Sequence, residues 1–206
     1  MTVEVTGEAV AEDWADRWRA FHRPVTVAGR VHVRPPWTEA GQDCIDIVID
    51  PGQAFGTGAH PTTRMCLELL LDVPAAGALA DLGCGSGVLA IAAAKLGFAP
   101  IVAVDNEVEA LEATAQNARR NDVTLERVER HDLRTEPAPV AGVTVANLVL
   151  PLLLEVAALL PEQPETLIVS GLLEGEEDEV AAAFARLLER RRLRLQGWSA
   201  LLLTRP

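Results

Sequence analysis

The chain has 206 residues, and its 49% hydrophobic and 23% charged residues are the balance of an ordinary globular protein with a sizeable core. A net charge of −12 argues against a protein that binds nucleic-acid backbones, because phosphate contacts need Lys and Arg. Cys44, Cys66 and Cys84 are isolated from one another and from any His cluster, which argues against a zinc site.

The N-terminal part of the sequence predicts a small extension before the main domain. A short helix is predicted over 12–21 and a strand over 27–33. Residues 44–50 alternate so that Ile45, Ile47 and Ile49 fall on one face, which predicts a half-buried antiparallel strand. We therefore expect residues 1–40 to form a helix and strand extension and residues 41–206 to form the principal domain.

After a loop over 51–60, predicted helices and strands alternate to the C-terminus. The predicted helices cover 62–71, 88–97, 107–120, 151–160 and 176–190, and the predicted strands cover 78–82, 100–104, 124–129, 143–146, 166–170, 192–198 and 200–204. Such alternation predicts an α/β fold, a Rossmann-like doubly wound and mostly parallel sheet. The last two strands are close enough in sequence to form an antiparallel hairpin.

The loop after the first parallel strand is rich in glycine and reads Asp81-Leu82-Gly83-Cys84-Gly85-Ser86-Gly87. Glycine has no Cβ, so such a loop can adopt positive φ and bring its backbone against a ligand. The helix that follows offers N–H groups to an anionic part of that ligand. Asp105 ends the next strand, where a carboxylate can accept hydrogen bonds from ribose hydroxyls. These features predict an adenosine-type cofactor.

The spacing of the glycines discriminates between two cofactor classes. Dinucleotide-binding loops read G-x-G-x-x-G, whereas Val88 stands here where that pattern has its last glycine. The pattern D-x-G-x-G-x-G instead resembles motif I of the class I methyltransferases, which bind S-adenosylmethionine (SAM). A nicotinamide-dependent oxidoreductase is therefore disfavoured.

Two further segments are similar to one family within that superfamily. They read Ala54-Phe55-Gly56-Thr57-Gly58-Ala59-His60-Pro61-Thr62-Thr63-Arg64 and Ala146-Asn147-Leu148. Together with the glycine loop they resemble the PrmA family, the methyltransferases of ribosomal large-subunit protein eleven. The resemblance covers nearly the whole chain.

The resemblance implies a set of site residues. Those implied to contact SAM are Thr63, Gly83, Asp105 and Asn147. Those implied to form a lid over the cofactor and part of an amine channel are Phe55, Gly56, Thr57 and Gly58. In class I methyltransferases generally, the glycine-rich motif cradles the methionine end of the cofactor, and Asp81 and Gly85 belong to that motif here. An acid after the third strand meets the adenine amino group in those enzymes, and Asp132 is the candidate here.

The resemblance also implies an activity, a SAM-dependent N-methyltransferase that acts on lysine ε-amino groups or an N-terminal amine of a protein, with a ribosomal protein as one candidate. Asn147 would orient the amine. Family members carry a separate N-terminal domain that captures the ribosomal protein, and only about ten residues precede Glu12-Asp13-Trp14 here, so we expect that domain to be missing. Val149 also stands where the family tends to have an aromatic residue. A small-molecule methyltransferase and a non-catalytic SAM-binding module are the alternatives.

The remaining expectations concern location and the histidines. Free thiols, the absence of a signal peptide over Met1 to Val10 and the absence of an apolar run of ~18 residues predict a cytoplasmic protein without a membrane span. His60 is expected either to cap the helix that follows it or to touch substrate. The sequence places His22, His32 and His131 at the surface or at sheet edges.

Overall fold

A computed structural model describes residues 22–52 and 56–206, so the predicted helix over 12–21 lies outside the described residues. The strands are β1 Val25–Val27, β2 Val31–Arg34, β3 Ile45–Val48, β4 Leu79–Leu82, β5 Ile101–Asp105, β6 Arg127–Arg130, β7 Val143–Asn147, β8 Thr166–Leu173, β9 Leu188–Leu195 and β10 Trp198–Thr204. The helices are α1 Pro61–Leu70, α2 Val88–Leu96, α3 Val108–Arg120, α4 Leu150–Leu159 and α5 Glu177–Ala183. None of the described helices is long and apolar enough to cross a bilayer.

The larger sheet has seven strands in the order β6-β5-β4-β7-β8-β10-β9. The five strands from β6 to β8 are parallel, and β10 runs antiparallel to both β8 and β9. Successive residues of β4 point to opposite faces, so that Leu79 packs in the core beneath α1 and α2 and Ala80 packs in the core beneath α4 and α5. The predicted doubly wound α/β fold with a C-terminal hairpin is confirmed.

The smaller sheet has the order β1-β2-β3 and corrects two predictions. The strand predicted over 27–33 is a hairpin, because Ala28 and Gly29 both take positive φ and the Arg30 N–H donates to the Val27 carbonyl. The strand predicted as antiparallel is β3, and it pairs in parallel with β2. Arg34 at the end of β2 stabilises this arrangement, since its guanidinium binds Asp46 of β3 and the Thr38 carbonyl in the connection between the two strands.

The predicted boundary between residues 40 and 41 falls in the connection between β2 and β3. Val27, Val31 and Ile47 of the small sheet belong to the same core as α1 and α2. The small sheet therefore packs on the larger domain through a shared apolar interior.

The helix predicted over 176–190 is wrong beyond Ala183. Residues 188–195 form β9 and pair with β10, so that their backbone hydrogen bonds outweigh the helix propensity of Leu, Glu and Arg. Arg190, the last residue of the predicted helix, lies on this edge strand instead. Arg191 in the same strand binds Glu68 and lies beside Asp72, and so ties β9 to the end of α1.

Candidate functional site

A cavity lies at the edge of the larger sheet where β4, β5, β6 and β7 end. Parallel strands bring their carboxyl ends to one edge, and ligands bind at this edge in doubly wound folds. Seven of the predicted site residues line the cavity: Gly56, Thr63, Gly83, Gly85, Asp105, Asp132 and Asn147. The fold thus collects, on one surface, residues from segments far apart in the chain.

The glycine loop between β4 and α2 forms one wall of the cavity. Gly83, Gly85 and Gly87 have φ of 73°, 53° and 80°, a conformation that favours glycine. The N–H groups of Gly83 and Cys84 both donate to the Val104 carbonyl of β5, which holds the loop against the neighbouring strand. The sequence pattern therefore predicted a loop that does place its backbone at the cavity.

Asp81 lies behind this loop and not in the cavity. Its side chain is buried, and its carboxylate accepts a hydrogen bond from the Ala90 N–H in the first turn of α2 (3.0 Å). Burial raises the pKa of Asp81, the Ala90 N–H lowers it and the negative charge of Asp105 raises it, so that the resulting pKa is about 7. We assign Asp81 to fastening α2 onto β4; the geometry does not support the cofactor contact that the sequence predicted for it.

Two N–H groups at the start of α2 are already used inside the protein. The Ala90 N–H bonds to Asp81, and the Val88 N–H donates to Ser86 Oγ at 3.3 Å. A ligand therefore does not meet a fully open helix N-terminus here, contrary to the expectation from the sequence. The backbone of the glycine loop at Gly83 and Gly85 is therefore what this wall of the cavity offers to a ligand.

Asp105 ends β5 and faces the cavity. Its Oδ2 accepts from the Gly85 N–H at 3.0 Å, and its Oδ1 accepts from the Glu107 N–H at 3.1 Å. A carboxylate has about four acceptor positions, so each oxygen keeps capacity for a ligand hydroxyl. Asp105 therefore fixes the glycine loop and still offers the acceptors that a ribose needs.

Asn147 and Thr63 meet across the cavity floor. Asn147 ends β7, Thr63 lies in the first turn of α1, and the Asn147 Nδ2 donates to Thr63 Oγ1 at 3.5 Å. Leu148 follows at once, and its side chain covers Gly83 so closely that a Cβ on Gly83 would overlap it. The side chain of Asn147 is thus oriented by its own protein and stands next to the glycine loop.

The segment predicted as a lid contributes one described residue to the cavity. Gly56 lines it, and the Ser86 Oγ–H donates to the Gly56 carbonyl at 2.6 Å. Thr57 and Gly58 do not line it; Gly58 packs against Val33, where a Cβ would lie 2.6 Å from Val33 Cγ1. Phe55 lies outside the described residues.

The end of β6 closes the opposite side of the cavity. Asp132 lines it and uses Oδ1 to accept from the Arg134 N–H at 3.1 Å, which shapes the turn. His131 also lines the cavity; it follows β6, an edge strand of the larger sheet, in agreement with the expected place at the surface or at a sheet edge. Its side chain is 16% exposed, and its buried Nε2 has no hydrogen-bond partner in the described part of the chain.

His60 is a capping residue. The Thr62 N–H donates to His60 Nδ1 at 3.4 Å, and the ring packs edge-on against Trp198 with ring centroids 5.1 Å apart. Burial lowers the pKa of His60, which keeps the ring neutral and able to accept at Nδ1. The first of its two expected roles is the one that the geometry supports.

Several cavity residues were not found from the sequence. Their side chains follow the predicted strand ends or begin the next helix: Asn106, Glu107, His131, Leu148 and Leu152. Asp105 and Asn147 were predicted because each ends a parallel strand, and the residues next to them lie at the same edge of the sheet. Position at a strand end was therefore the signal that could have identified these further residues. Cys84 also lines the cavity, but burial raises the pKa of its thiol, so it is not an activated nucleophile.

Residues 1–206 match the family model described as "Ribosomal protein L11 methyltransferase (PrmA)". The chain is 41% identical over 179 residues to the ribosomal protein L11 methyltransferase of Heliobacterium modesticaldum, covering 84% of this chain and 57% of that protein. It is 32% identical over 198 residues to the protein of the same name from Thermoanaerobacter pseudethanolicus, covering 92% of this chain and 64% of that protein. The crystal structure of ribosomal protein L11 methylase from Lactobacillus delbrueckii subsp. bulgaricus is similar with a TM-score of 0.78 and 26% identity, over 89% of this chain and 99% of that chain. The chain thus spans less than two thirds of the length of these two curated relatives.

Proposed function

Because the chain belongs to the ribosomal protein L11 methyltransferase (PrmA) family, we propose that it transfers methyl groups from SAM to amino groups of a protein. The observation that carries this proposal is the convergence of the glycine loop, Asp105, Thr63 and Asn147 on one cavity. A ribosomal protein is the substrate that the family name favours, and the cytoplasm is where we place the reaction.

The residues present fit SAM better than a dinucleotide. Val88 lines the cavity at the position where a dinucleotide loop has its last glycine, so its branched side chain occupies space there. We propose that the backbone at Gly83 and Gly85 holds the methionine end and that the free acceptor capacity of Asp105 holds the ribose. Asp132 and its neighbours at the end of β6 would enclose the adenine.

When bound, SAM supplies a methyl group already activated on a sulfonium. The protein then has to hold the amine nitrogen, the methyl carbon and the sulfur in line, and positioning of this kind contributes several kcal/mol in model systems, on the order of 7–11. In such a transfer the N–C bond would form as the S–C bond breaks, S-adenosylhomocysteine would be the product released, and the proton of the amine would pass to water. A dedicated general base is not needed if the amine arrives neutral.

Two features of the cavity support an amine in its neutral, nucleophilic form. Leu148 and Leu152 line the wall near Asn147, and apolar surroundings lower the pKa of an amine from its ordinary value of about 10.4. The Asn147 carboxamide is held through its Nδ2 by Thr63, which leaves its Oδ1 to accept a hydrogen bond from the amine. Asn147 is therefore our candidate for the residue that orients the acceptor.

The test is methyl transfer from SAM labelled in its methyl group. The purified chain is incubated with purified ribosomal protein L11 and, separately, with a cell extract, and Asn147→Ala serves as the matched control. We expect label on ribosomal protein L11, at lysine or at the N-terminal amine, and little label with the variant. Label only in small molecules of the extract would contradict a protein substrate and indicate a small-molecule methyltransferase. Binding of SAM without any transfer would contradict an enzyme and indicate a SAM-binding module.

A further inference from the structure

Three buried polar side chains lie along α3 and at its C-cap: Thr114, Asn117 and the capping residue Asn121. They are spaced three and four residues apart, which places them on one face of the helix. Buried polar groups destabilise a protein unless they are hydrogen-bonded, so their partners indicate what they do. None of the three lines the cavity among the described residues.

Two of these side chains hold consecutive carbonyls of the glycine loop. Thr114 Oγ1–H donates to the Gly85 carbonyl at 3.0 Å, and Asn117 Nδ2 donates to the Ser86 carbonyl at 2.9 Å. Gly85 is in turn bonded through its N–H to Asp105. The loop is therefore fixed from α3 on one side and from β5 on the other.

Asn117 also reaches the chain that precedes Gly56. Its Oδ1 accepts from the Asp50 N–H at 3.1 Å, so one carboxamide joins the end of the small sheet to the glycine loop. Ser86 makes the second connection, because its Oγ–H donates to the Gly56 carbonyl. Gly56 is thus held to the glycine loop directly through Ser86, and Asn117 holds the same loop to the chain just after β3.

Asn121 is different and offers a natural comparison. It bonds both the N–H and the carbonyl of Val48, at 2.8 and 2.7 Å, and so anchors β3 to α3. It makes no hydrogen bond to the glycine loop within the described part of the chain. Asn117 and Asn121 therefore both lie at the C-terminal end of α3, are both buried and both bind the chain at the end of the small sheet. Only Asn117 also binds the glycine loop.

We propose that Thr114 and Asn117 are positioning residues for the cofactor: they set the backbone of the glycine loop at Gly85 and Ser86. The inference rests on the proposed cofactor, since it assigns these residues to the geometry of that site. Removing either one leaves every side chain that lines the cavity in place but frees a loop carbonyl. Cofactor affinity falls as a result, while the chemistry of the bound complex is little changed.

The experiment is calorimetric titration with S-adenosylhomocysteine, which measures binding without turnover. Asn117→Ala and the near-isosteric Thr114→Val are compared with Asn121→Ala, and steady-state kinetics with SAM separate KM from kcat. We expect Kd and KM to rise roughly tenfold for the first two, with kcat within about twofold of wild type, and no rise for the third. Thr114→Val carries the test if Asn117→Ala does not fold.

Two outcomes overturn the inference: wild-type affinity in both loop variants, or an equal loss of affinity in Asn121→Ala, which would indicate general destabilisation. A wild-type chain that does not bind S-adenosylhomocysteine at all would instead overturn the proposed cofactor. The two failures are therefore distinguishable. Combining Asn117→Ala with Ser86→Ala adds a further check, because both changes remove a contact of the same loop residue and should have non-additive effects on Kd.

Discussion

Asn147 tests the proposed chemistry at the scale of a single residue. Asn147→Ala removes the carboxamide that would orient the amine, and we expect kcat to fall about 100-fold, the range seen when one positioned polar group is lost from an active site. Because the glycine loop and Asp105 are untouched, the Kd of S-adenosylhomocysteine should change less than about threefold. Steady-state kinetics and calorimetry measure the two quantities. Equal losses in kcat and affinity would contradict the orienting role.

Asp105 should show the opposite pattern. Its carboxylate holds the Gly85 and Glu107 N–H groups and lines the cavity, so Asp105→Ala removes two loop contacts as well as the acceptors for ribose. We expect the Kd of S-adenosylhomocysteine to rise about 100-fold, since hydrogen bonds to a charged group contribute about 1.5–3 kcal/mol each. Asp132→Ala, at the other end of the cavity, is the comparison, and a smaller effect is expected because its carboxylate does not hold the loop. Wild-type affinity in Asp105→Ala would exclude the ribose assignment.

Glu177 is a buried acid far from this chemistry, at the start of α5. Burial acts to raise its pKa, but hydrogen bonds from backbone N–H groups, Arg194 and Ser199 lower it to about 2 from the ordinary value of 4.5. A carboxyl group whose pKa is depressed by folding stabilises the protein above its unfolded pKa. That contribution is lost as the pH falls through the folded pKa.

The pH dependence of stability follows with a definite sign. Above about pH 5, Glu177→Gln should lower the free energy of unfolding by up to about 3 kcal/mol, and the difference from wild type should shrink as the pH falls from about 4.5 towards 2. Urea unfolding followed by circular dichroism at pH 7 and at pH 3.5 measures it. Glu179→Gln, an exposed change on the same helix, is the control. A difference that grows on acidification would refute the assignment.

At the scale of elements, the turn from β4 into α2 depends on Gly87. Its φ is +80°, and a Cβ there would lie 2.9 Å from Thr114 Cγ2 on α3. Gly197, in the turn between β9 and β10, has a nearly equal φ of +81°, and a Cβ there would meet nothing within 4 Å. Comparing substitutions at Gly87 and Gly197 therefore separates the free-energy cost of a side chain at positive φ from the cost of the steric contact with Thr114.

We expect Gly197→Ala to lower the free energy of unfolding by about 1 kcal/mol, the cost of placing a side chain in the left-handed region. Gly87→Ala should cost about 1–3 kcal/mol more, because Thr114 must also move. Denaturant unfolding of the two variants measures the difference. Equal destabilisation would show that α3 does not pack against the loop as closely as the geometry indicates.

At the scale of the whole molecule, the sequence predicted the α/β class and the edge of the sheet where the cavity lies. It could do so because glycine spacing and strand-end acids are local patterns with a fixed place in a doubly wound sheet. Asp105 and Asn147 were found in this way.

Features that depend on distant partners were not predicted. The end of α5 and the start of β9 are decided by pairing with β10, and β3 takes its direction from parallel pairing with β2, which the Arg34–Asp46 contact stabilises. Asp81 stands in a motif that suggests ligand contact, but its carboxylate is taken by the Ala90 N–H. The roles of Thr114 and Asn117 are visible only once α3 lies against the loop.

The central claim is that the cavity beside the glycine loop binds a sulfonium cofactor. Calorimetric titration of one preparation with S-adenosylhomocysteine and then with NADH tests it most directly. We predict saturable binding of S-adenosylhomocysteine at one site per chain, weakened about 100-fold in Asp105→Ala, and no binding heat from NADH. Saturable binding of NADH, or no binding of S-adenosylhomocysteine by a folded wild-type chain, would contradict the account.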